Sequence, residues 1–293
     1  MEPYDIGLRV TDEPLTEILA YLTRELTGGA RAELAIRDPA ATAGAYAGEQ
    51  GHRPWRVWTE LADALAMRLA IRADGDGFVL TFTALDRERT LERGEGVEAY
   101  GVDSGFARIH KLEDPSFVID LRDALARAHL PPTASVLDVG SNRGDELELI
   151  YEAAPDARVT ALDHSQSTLA IGRARWPRAT FELADVTQPL EVGRFDLVIA
   201  IGMMQTGNLD DRALLRRLVQ DHLAPTGSVI LGVPNCRYFD GEVSYGARMR
   251  NFAQPELGLV VKDIAFYRKY LQQHHRQVFV TGRNYLFVTA VGG

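Results

Sequence analysis

SVLDVGSNRGDELELIYEA, residues 135–153, decides the fold. Its first part, SVLDVG at 135–140, is a short apolar run with β-branched residues that stops at Gly140, the pattern of a strand buried on both faces. From 144 onward the spacing turns helical, with Leu147, Ile150 and Tyr151 on one face. The alternation then repeats. VTALDH (159–164) predicts a second strand, and SQSTLAIGRARWP a helix opened by Ser165 and closed before Pro177. ATFELAD (179–185) predicts a third strand and the almost wholly apolar FDLVIAIG (195–202) a fourth. LDDRALLRRLVQDHL reads as a helix capped by Asp210, GSVILGVPN (227–235) as a fifth strand, and DIAFYRKYLQQHH as an amphipathic helix. RQVFVTGRNYLFVTAV gives two alternating strands about Thr281–Asn284, an antiparallel hairpin. A helix over 115–129 is expected to pack on the sheet ahead of its first strand. Residues 98–293 are therefore expected to form an α/β domain, a doubly wound, mostly parallel seven-stranded sheet with an antiparallel C-terminal hairpin.

Upstream the pattern changes. IGLRV, RAELAIRD and GFVLTFTAL read as strands, LTEILAYLTREL and PWRVWTELADALAMRL as helices, and AATAGAYAGEQG (40–51) as a loop. The order β-α-β-loop-α-β over 1–97 suggests a smaller N-terminal α+β domain, joined through the charged stretch 88–98. Trp55 and Trp58, three apart on one helical face, read as core rather than as a base-stacking platform. The candidate roles of this domain are covering the active site, binding substrate or making a homodimer.

In an open parallel sheet, ligands bind beyond the carboxyl ends of the strands. The turn after the first core strand, Asp138 to Asp145, has Asn142 and Asp145 where a dinucleotide-binding loop needs glycines, and it lacks the lysine of a phosphate loop. A carboxylate at 145, at the start of a helix, is expected to repel phosphate. Asp138, Asp163 and Asp185 each fall at a strand end, with Asp163 positioned to accept from ribose hydroxyls and Asp185 from an adenine amino group. Gly140 and Gly144 let a ligand approach the backbone. Such a crevice suits a ligand that carries positive charge and no phosphate.

VLDVGSNRG (136–144), LDHS (162–165), LADV (183–186) and FDLVIAIG (195–202), in this order and spacing, resemble the class I S-adenosylmethionine-dependent methyltransferases. The resemblance covers roughly 98–293. It implies S-adenosyl-L-methionine as cofactor, with Asp138, Gly140, Ser141, Asn142 and Gly144 around its methionine part. It further implies Asp163 and His164 at the ribose, Asp185 and Val186 at the adenine, and Ile201 and Gly202 beside them. Asn142 departs from the family's middle glycine; asparagine tolerates a left-handed backbone. The chain lacks an Asn-Pro-Pro-Tyr type of signature after the fourth strand, and its single cysteine, Cys236, excludes a paired-cysteine mechanism. No catalytic base stands out.

Composition bounds what remains. The chain has 293 residues, 46% hydrophobic and 25% charged, with a formal net charge of −9. That composition is globular, and an acidic chain is no generic binder of nucleic acid or anionic membrane. Residues 241–293 nevertheless hold seven basic and three acidic residues, net +4, which leaves −13 for the rest. Only three of the 32 basic residues are lysines (Lys111, Lys262 and Lys269), the codon bias of a high-GC bacterial genome. The acidic N-terminus has no apolar core, and no apolar run reaches the roughly 18 residues of a membrane span, so a cytoplasmic protein is expected. Tyr100, Phe106 and Arg108 in a lid-like segment, Met203 after the fourth strand, and Asn235, Arg237, Tyr238, Tyr245 and Arg248 after the fifth are the candidate acceptor-binding residues. The arginines could clamp a carboxylate or phosphate. His274-His275 has no third ligand spaced to help, so no metal is expected. The expected reaction is methylation at O or N of a small or medium-sized anionic acceptor. A tRNA or rRNA methyltransferase, using the basic C-terminal segment, and a non-catalytic S-adenosylmethionine-binding or scaffold protein are the alternatives.

Overall fold

The computed structural model describes residues 7–41, 44, 49, 51–65, 67–84, 98, 100–104, 107, 109–206, 209–234, 257–283 and 285–292. They fall into two compact units, residues 7–84 in one and 98–292 in the other. No helix among them is long and apolar enough to cross a membrane.

The first unit is a four-stranded sheet in the order β1-β2-β4-β3, formed by β1 (Leu8–Arg9), β2 (Arg31–Arg37), β3 (Met67–Asp74) and β4 (Gly77–Ala84). Helices α1 (Leu15–Gly28) and α2 (Trp55–Ala64) contribute to its core, where Ile18, Leu22 and Trp58 meet Leu34, Leu80 and Phe82. Trp58 is buried and Trp55 meets Phe78 edge-on at 4.9 Å, the packing role expected of them. The predicted helix through Leu69 is corrected here. It ends at Ala64, and Met67–Asp74 is a strand paired antiparallel with Gly77–Ala84. Gly75, at φ 60, makes the reversal possible, and the cross-strand ladder outweighs the helical propensity of Ala, Met, Arg and Leu.

The second unit is a seven-stranded sheet in the order β10-β11-β9-β8-β5-β6-β7. Strands β5 (Ser135–Val139), β6 (Arg158–Asp163), β7 (Thr180–Leu183), β8 (Phe195–Ile201) and β9 (Leu223–Pro234) are parallel. β10 (Arg276–Thr281) and β11 (Tyr285–Gly292) form the expected antiparallel hairpin, with β11 antiparallel to β9. Successive strand residues point to opposite faces, so two apolar layers form. Val136, Ala161, Leu197 and Ile199 pack with Phe117 and Leu121 of α3 (Pro115–Ala128) and Ile150 of α4 (Leu147–Ala153), with Leu169 of α5 (Gln166–Arg175) in the same layer. Leu137, Leu162, Val198 and Ala200 pack with Leu214 of α6 (Asp211–Arg217) and with Tyr267 and Leu271 of α7 (Leu257–Gln273).

Helix ends follow their caps. The Ser165 hydroxyl accepts from the Thr168 N–H, and Asp210 accepts from the Ala213 N–H at 2.9 Å. The helix expected after Asp210 breaks sooner than its apolar spacing suggests: α6 passes into a π turn at Leu218–His222, which leads directly into β9. Strand order reverses between β5 and β8, so the topological switch point lies at their carboxyl ends.

Candidate active site

The turn after β5 is shaped by left-handed backbone at Gly140 (φ 74), Asn142 (φ 51) and Gly144 (φ 72). Asparagine is among the few side chains that tolerate this conformation. The turn is tied to the end of β6: the N–H groups of Gly140 and Ser141 both donate to the Leu162 carbonyl, at 2.8 and 3.0 Å. Asp163, the last residue of β6, accepts the Asn142 N–H on Oδ2 at 2.8 Å and the Ser165 N–H on Oδ1 at 2.9 Å. Each oxygen keeps a lone pair. His164 is half-exposed, with Nδ1 3.6 Å from Asp163 Oδ1.

Asp138 is 1% exposed, and its Oδ2 has no hydrogen-bond partner. Burial first, then Glu146, with Asp163 adding, hold its carboxyl well above the usual carboxylate range, against the pull of Lys111. Ser141 Oγ and both side-chain polar atoms of Gln205 are likewise buried without partners. Buried polar atoms are normally satisfied. Here four unsatisfied atoms, on Asp138, Ser141 and Gln205, lie at the end of β5 or in the loops after β5 and β8, the place where a doubly wound sheet binds its ligand.

The two glycines of the β5 turn have different surroundings. A Cβ on Gly140 would stand 3.0 Å from Met203 Cβ and Sδ, so Met203 packs over the turn from the loop after β8. A Cβ on Gly144 would meet Phe181 at 2.9 Å and Trp176 at 3.3 Å. That side of Gly144 faces core aromatics and not a ligand, so its structural use is the tight turn and close packing. Ile201 is buried at the end of β8, and Gly202 follows with φ 73.

Asp185 lies past the end of β7 and is exposed. Its Oδ1 accepts from the Thr187 N–H at 2.9 Å and hydroxyl at 2.7 Å, which lowers its pKa. The half-buried Val186 follows. Arg217 donates to the carbonyls of Val186, Thr187 and Gln188, fixing this turn from the helix side.

The segment before the core is fastened to the site through its backbone. Asn142 Nδ2 donates to the Tyr100 carbonyl at 3.1 Å, and Arg143 to the carbonyls of Ala107 and Ile109 at 2.7 and 2.8 Å. Glu98 accepts from the hydroxyls of Ser165 and Ser167. Asp145 is ion-paired with Arg143 at 2.9 Å and Arg175 at 2.6 Å. Asp145, expected to repel phosphate, thus has its carboxylate ion-paired on two sides.

Phe106, Arg108, Asn235, Arg237, Tyr238, Tyr245 and Arg248 lie outside the described residues, as does Cys236. Among the described residues no cluster of His, Cys, Asp or Glu is arranged to hold a metal. The His274 ring lies 4.5 Å from the Tyr270 ring, tilted by 56°.

Lys111, Glu146, Gln205 and Arg217 were missed by sequence reasoning. Lys111 Nζ donates to Glu146 Oε1 at 2.9 Å, across 35 residues of chain. No local spacing signals such a pair; the scarcity of lysine was the one available hint.

Residues 136–227 match the family model described as a methyltransferase domain. A trans-aconitate 2-methyltransferase of Variovorax paradoxus (strain S110) is 36% identical over 117 residues, 40% of this chain and 44% of that protein. A protein of the same name from Azoarcus sp. (strain BH72) is 34% identical over 113 residues, 39% of this chain and 44% of that protein. The matched stretch thus spans less than half the length of these curated relatives. The solved complex between the Haloferax volcanii Trm112 methyltransferase activator and a putative methyltransferase contains a chain of the same fold. Its TM-score is 0.50 at 16% identity, over 68% of this chain and 98% of that one. The parallel-sheet unit is thus similar, over residues 136–227, to a methyltransferase domain, and it shares its fold with a solved methyltransferase chain.

Proposed function

We propose that this protein transfers a methyl group from S-adenosyl-L-methionine to an oxygen or nitrogen of a small, carboxylate-bearing acceptor. The observation that carries the reading is the buried Asp138 carboxyl at the β5–β8 switch point, whose Oδ2 has no hydrogen-bond partner and which a cationic ligand would complete. In this reading Asp138, Gly140, Ser141 and Asn142 border the methionine part, with Gly144 holding the turn. The free lone pairs of Asp163 take the ribose hydroxyls, with His164 beside them. Asp185 and Val186 receive the adenine, and Ile201, Gly202 and Met203 line the donor end. When bound, the cofactor supplies a methyl group already activated on a sulfonium. The chain's task is then alignment and exclusion of water, which is consistent with the absence of an obvious base among the candidate residues. Two features support an anionic acceptor: the relatives' name, trans-aconitate 2-methyltransferase, and the net +4 of residues 241–293.

Turnover of labelled S-adenosylmethionine with trans-aconitate and a panel of other di- and tricarboxylates tests the acceptor class. Label transfer to one of them is expected, and transfer only to neutral or cationic acceptors would reject it. Calorimetry with S-adenosylhomocysteine tests the cofactor site separately.

A further inference from the structure

The sheet of the first unit ends on two unequal strands. At one edge stands β1, two residues long; at the other stands β3, eight residues long, with no strand among the described residues on its outer side. An open edge presents a row of unpaired N–H and C=O groups, which proteins blunt with short strands, proline, bulges or lysine. β3 contains no proline, lysine or glycine, and it pairs with β4 without a register shift. Arg68, Ala70, Ile71, Arg72 and Ala73 are all exposed.

The turn fixes which main-chain groups point outward. Gly75 and Asp76 form a two-residue turn closed by Asp74 opposite Gly77, and such a turn hydrogen-bonds its flanking pair. Alternation along the ladder then directs the main-chain groups of Asp74, Arg72, Ala70 and Arg68 to β4, and those of Ala73, Ile71, Leu69 and Met67 away from it. The side chains divide by face. Leu69 and Ile71 stand opposite Phe82 and Leu80, on the core side, yet Ile71 in the middle of the strand is 48% exposed. Arg68, Ala70, Arg72 and Asp74 line the other face.

We propose that β3 pairs antiparallel with the β3 of a second copy of this chain, about a two-fold axis at Ile71, joining the two four-stranded sheets into one. In this register Ile71 exchanges both main-chain bonds with the partner's Ile71, and Leu69 lies opposite the partner's Ala73. Arg68 falls opposite the partner's Asp74 at both ends, in a pair without main-chain bonds, where side chains approach most closely. Asp74 is half-exposed and 3.7 Å from the Arg72 of its own chain, so the partner's Arg68 completes a carboxylate held between two arginines. Charge selects this register over its neighbours. An axis at Ala70 sets Arg68 against the partner's Arg72, and an axis at Arg72 sets that arginine against its own copy; like charges directly opposite destabilise a ladder.

Sedimentation equilibrium of the full chain reads the assembly, and a dimer is expected. Ile71→Lys, at an exposed position whose N–H β4 does not use, is expected to give a monomer with the circular dichroism of the wild type. A charge exchange tests the register itself. Arg68→Asp and Asp74→Arg each set like charges opposite one another at both ends, and each is expected to weaken the dimer roughly tenfold or more. Mixed in equal amounts, the two variants regain opposite charges at both ends, so a mixed dimer close to the wild type in affinity is expected. A monomeric wild type, a dimer that survives Ile71→Lys, or a mixture that associates no better than either variant alone would overturn the proposal.

Discussion

Asn142 and Asp163, 21 residues apart in the chain, are joined by a hydrogen bond of 2.8 Å from the Asn142 main-chain N–H to Asp163 Oδ2. The bond links the turn after β5 to the end of β6 and fixes the carboxylate that the proposed function assigns to the ribose. The donor is main chain, so the family's glycine at this position would make the same bond. Replacing Asp163 by Ala should weaken S-adenosylhomocysteine binding by about 1.5–3 kcal/mol. It also orphans the N–H groups of Asn142 and Ser165, so denaturant unfolding should show a loss of roughly 1–2 kcal/mol. Calorimetry and unfolding on the same variant check both; unchanged affinity would remove Asp163 from the ribose.

Gly140→Ala should destabilise the chain by roughly 1–2 kcal/mol, since φ 74 costs an L-residue about that much. The added methyl also meets Met203 at 3.0 Å. Combining it with Met203→Ala should relieve the contact with Sδ and leave that with Cβ together with the backbone cost, and a double-mutant cycle by thermal unfolding reads the difference.

The Asp138 carboxyl binds its proton more tightly in the folded chain than in the unfolded one, because burial and Glu146 raise its pKa. For an acid shifted this way, the folded state holds more protons, so the contribution to stability declines as pH rises. It is complete below the unfolded value of about 3.9 and is lost as pH climbs through the folded value. Asp138→Asn, which mimics the protonated form, should therefore raise the melting temperature of the ligand-free protein at about pH 8 while the gap closes toward about pH 4. The same variant should bind S-adenosylhomocysteine poorly. A variant less stable than wild type at the higher pH would contradict the assignment.

Arg143 ties the backbone at Ala107 and Ile109 to the turn after β5 and pairs with Asp145. Arg143→Ala should therefore loosen the segment ahead of the core. Hydrogen exchange in peptides covering 107–113 is expected to rise by at least about tenfold, matching the loss of two hydrogen bonds from a charged donor, with the central strands unaffected. No change in exchange would mean that the segment is held by other contacts.

Arg217 grips three successive carbonyls next to Asp185. If Asp185 receives the adenine amino group, Arg217→Ala should reduce discrimination between S-adenosylhomocysteine and its inosine counterpart, which lacks that group, by roughly 3- to 10-fold. Competition binding with both ligands measures the ratio. A ratio that stays at the wild-type value would detach this turn from adenine selection.

Periodicity and caps were enough for the strand–helix order of the second unit. Continuous apolar strands, helical spacing and capping by Ser165 and Asp210 are local properties, and the resulting α/β order is compatible with few topologies. The same local reading failed at Met67–Asp74, where a helix-forming sequence is held as a strand by pairing with Gly77–Ala84. It also failed at Leu218–His222, where the apolar spacing continues but the backbone widens into a π turn before β9.

At the site, the sequence by itself placed Asp138, Asp163 and the glycines of the β5 turn, because strand ends and turn residues are legible one segment at a time. Whether a carboxylate there is free, shared or neutralised was decided only by the tertiary structure. Asp145 reads as an exposed acid and is closed off by Arg143 and by Arg175, 30 residues away; Lys111 reads as nothing and is set beside Glu146 and Gly202. Charge acts through space and falls with distance and burial, and neither quantity exists until the chain has folded.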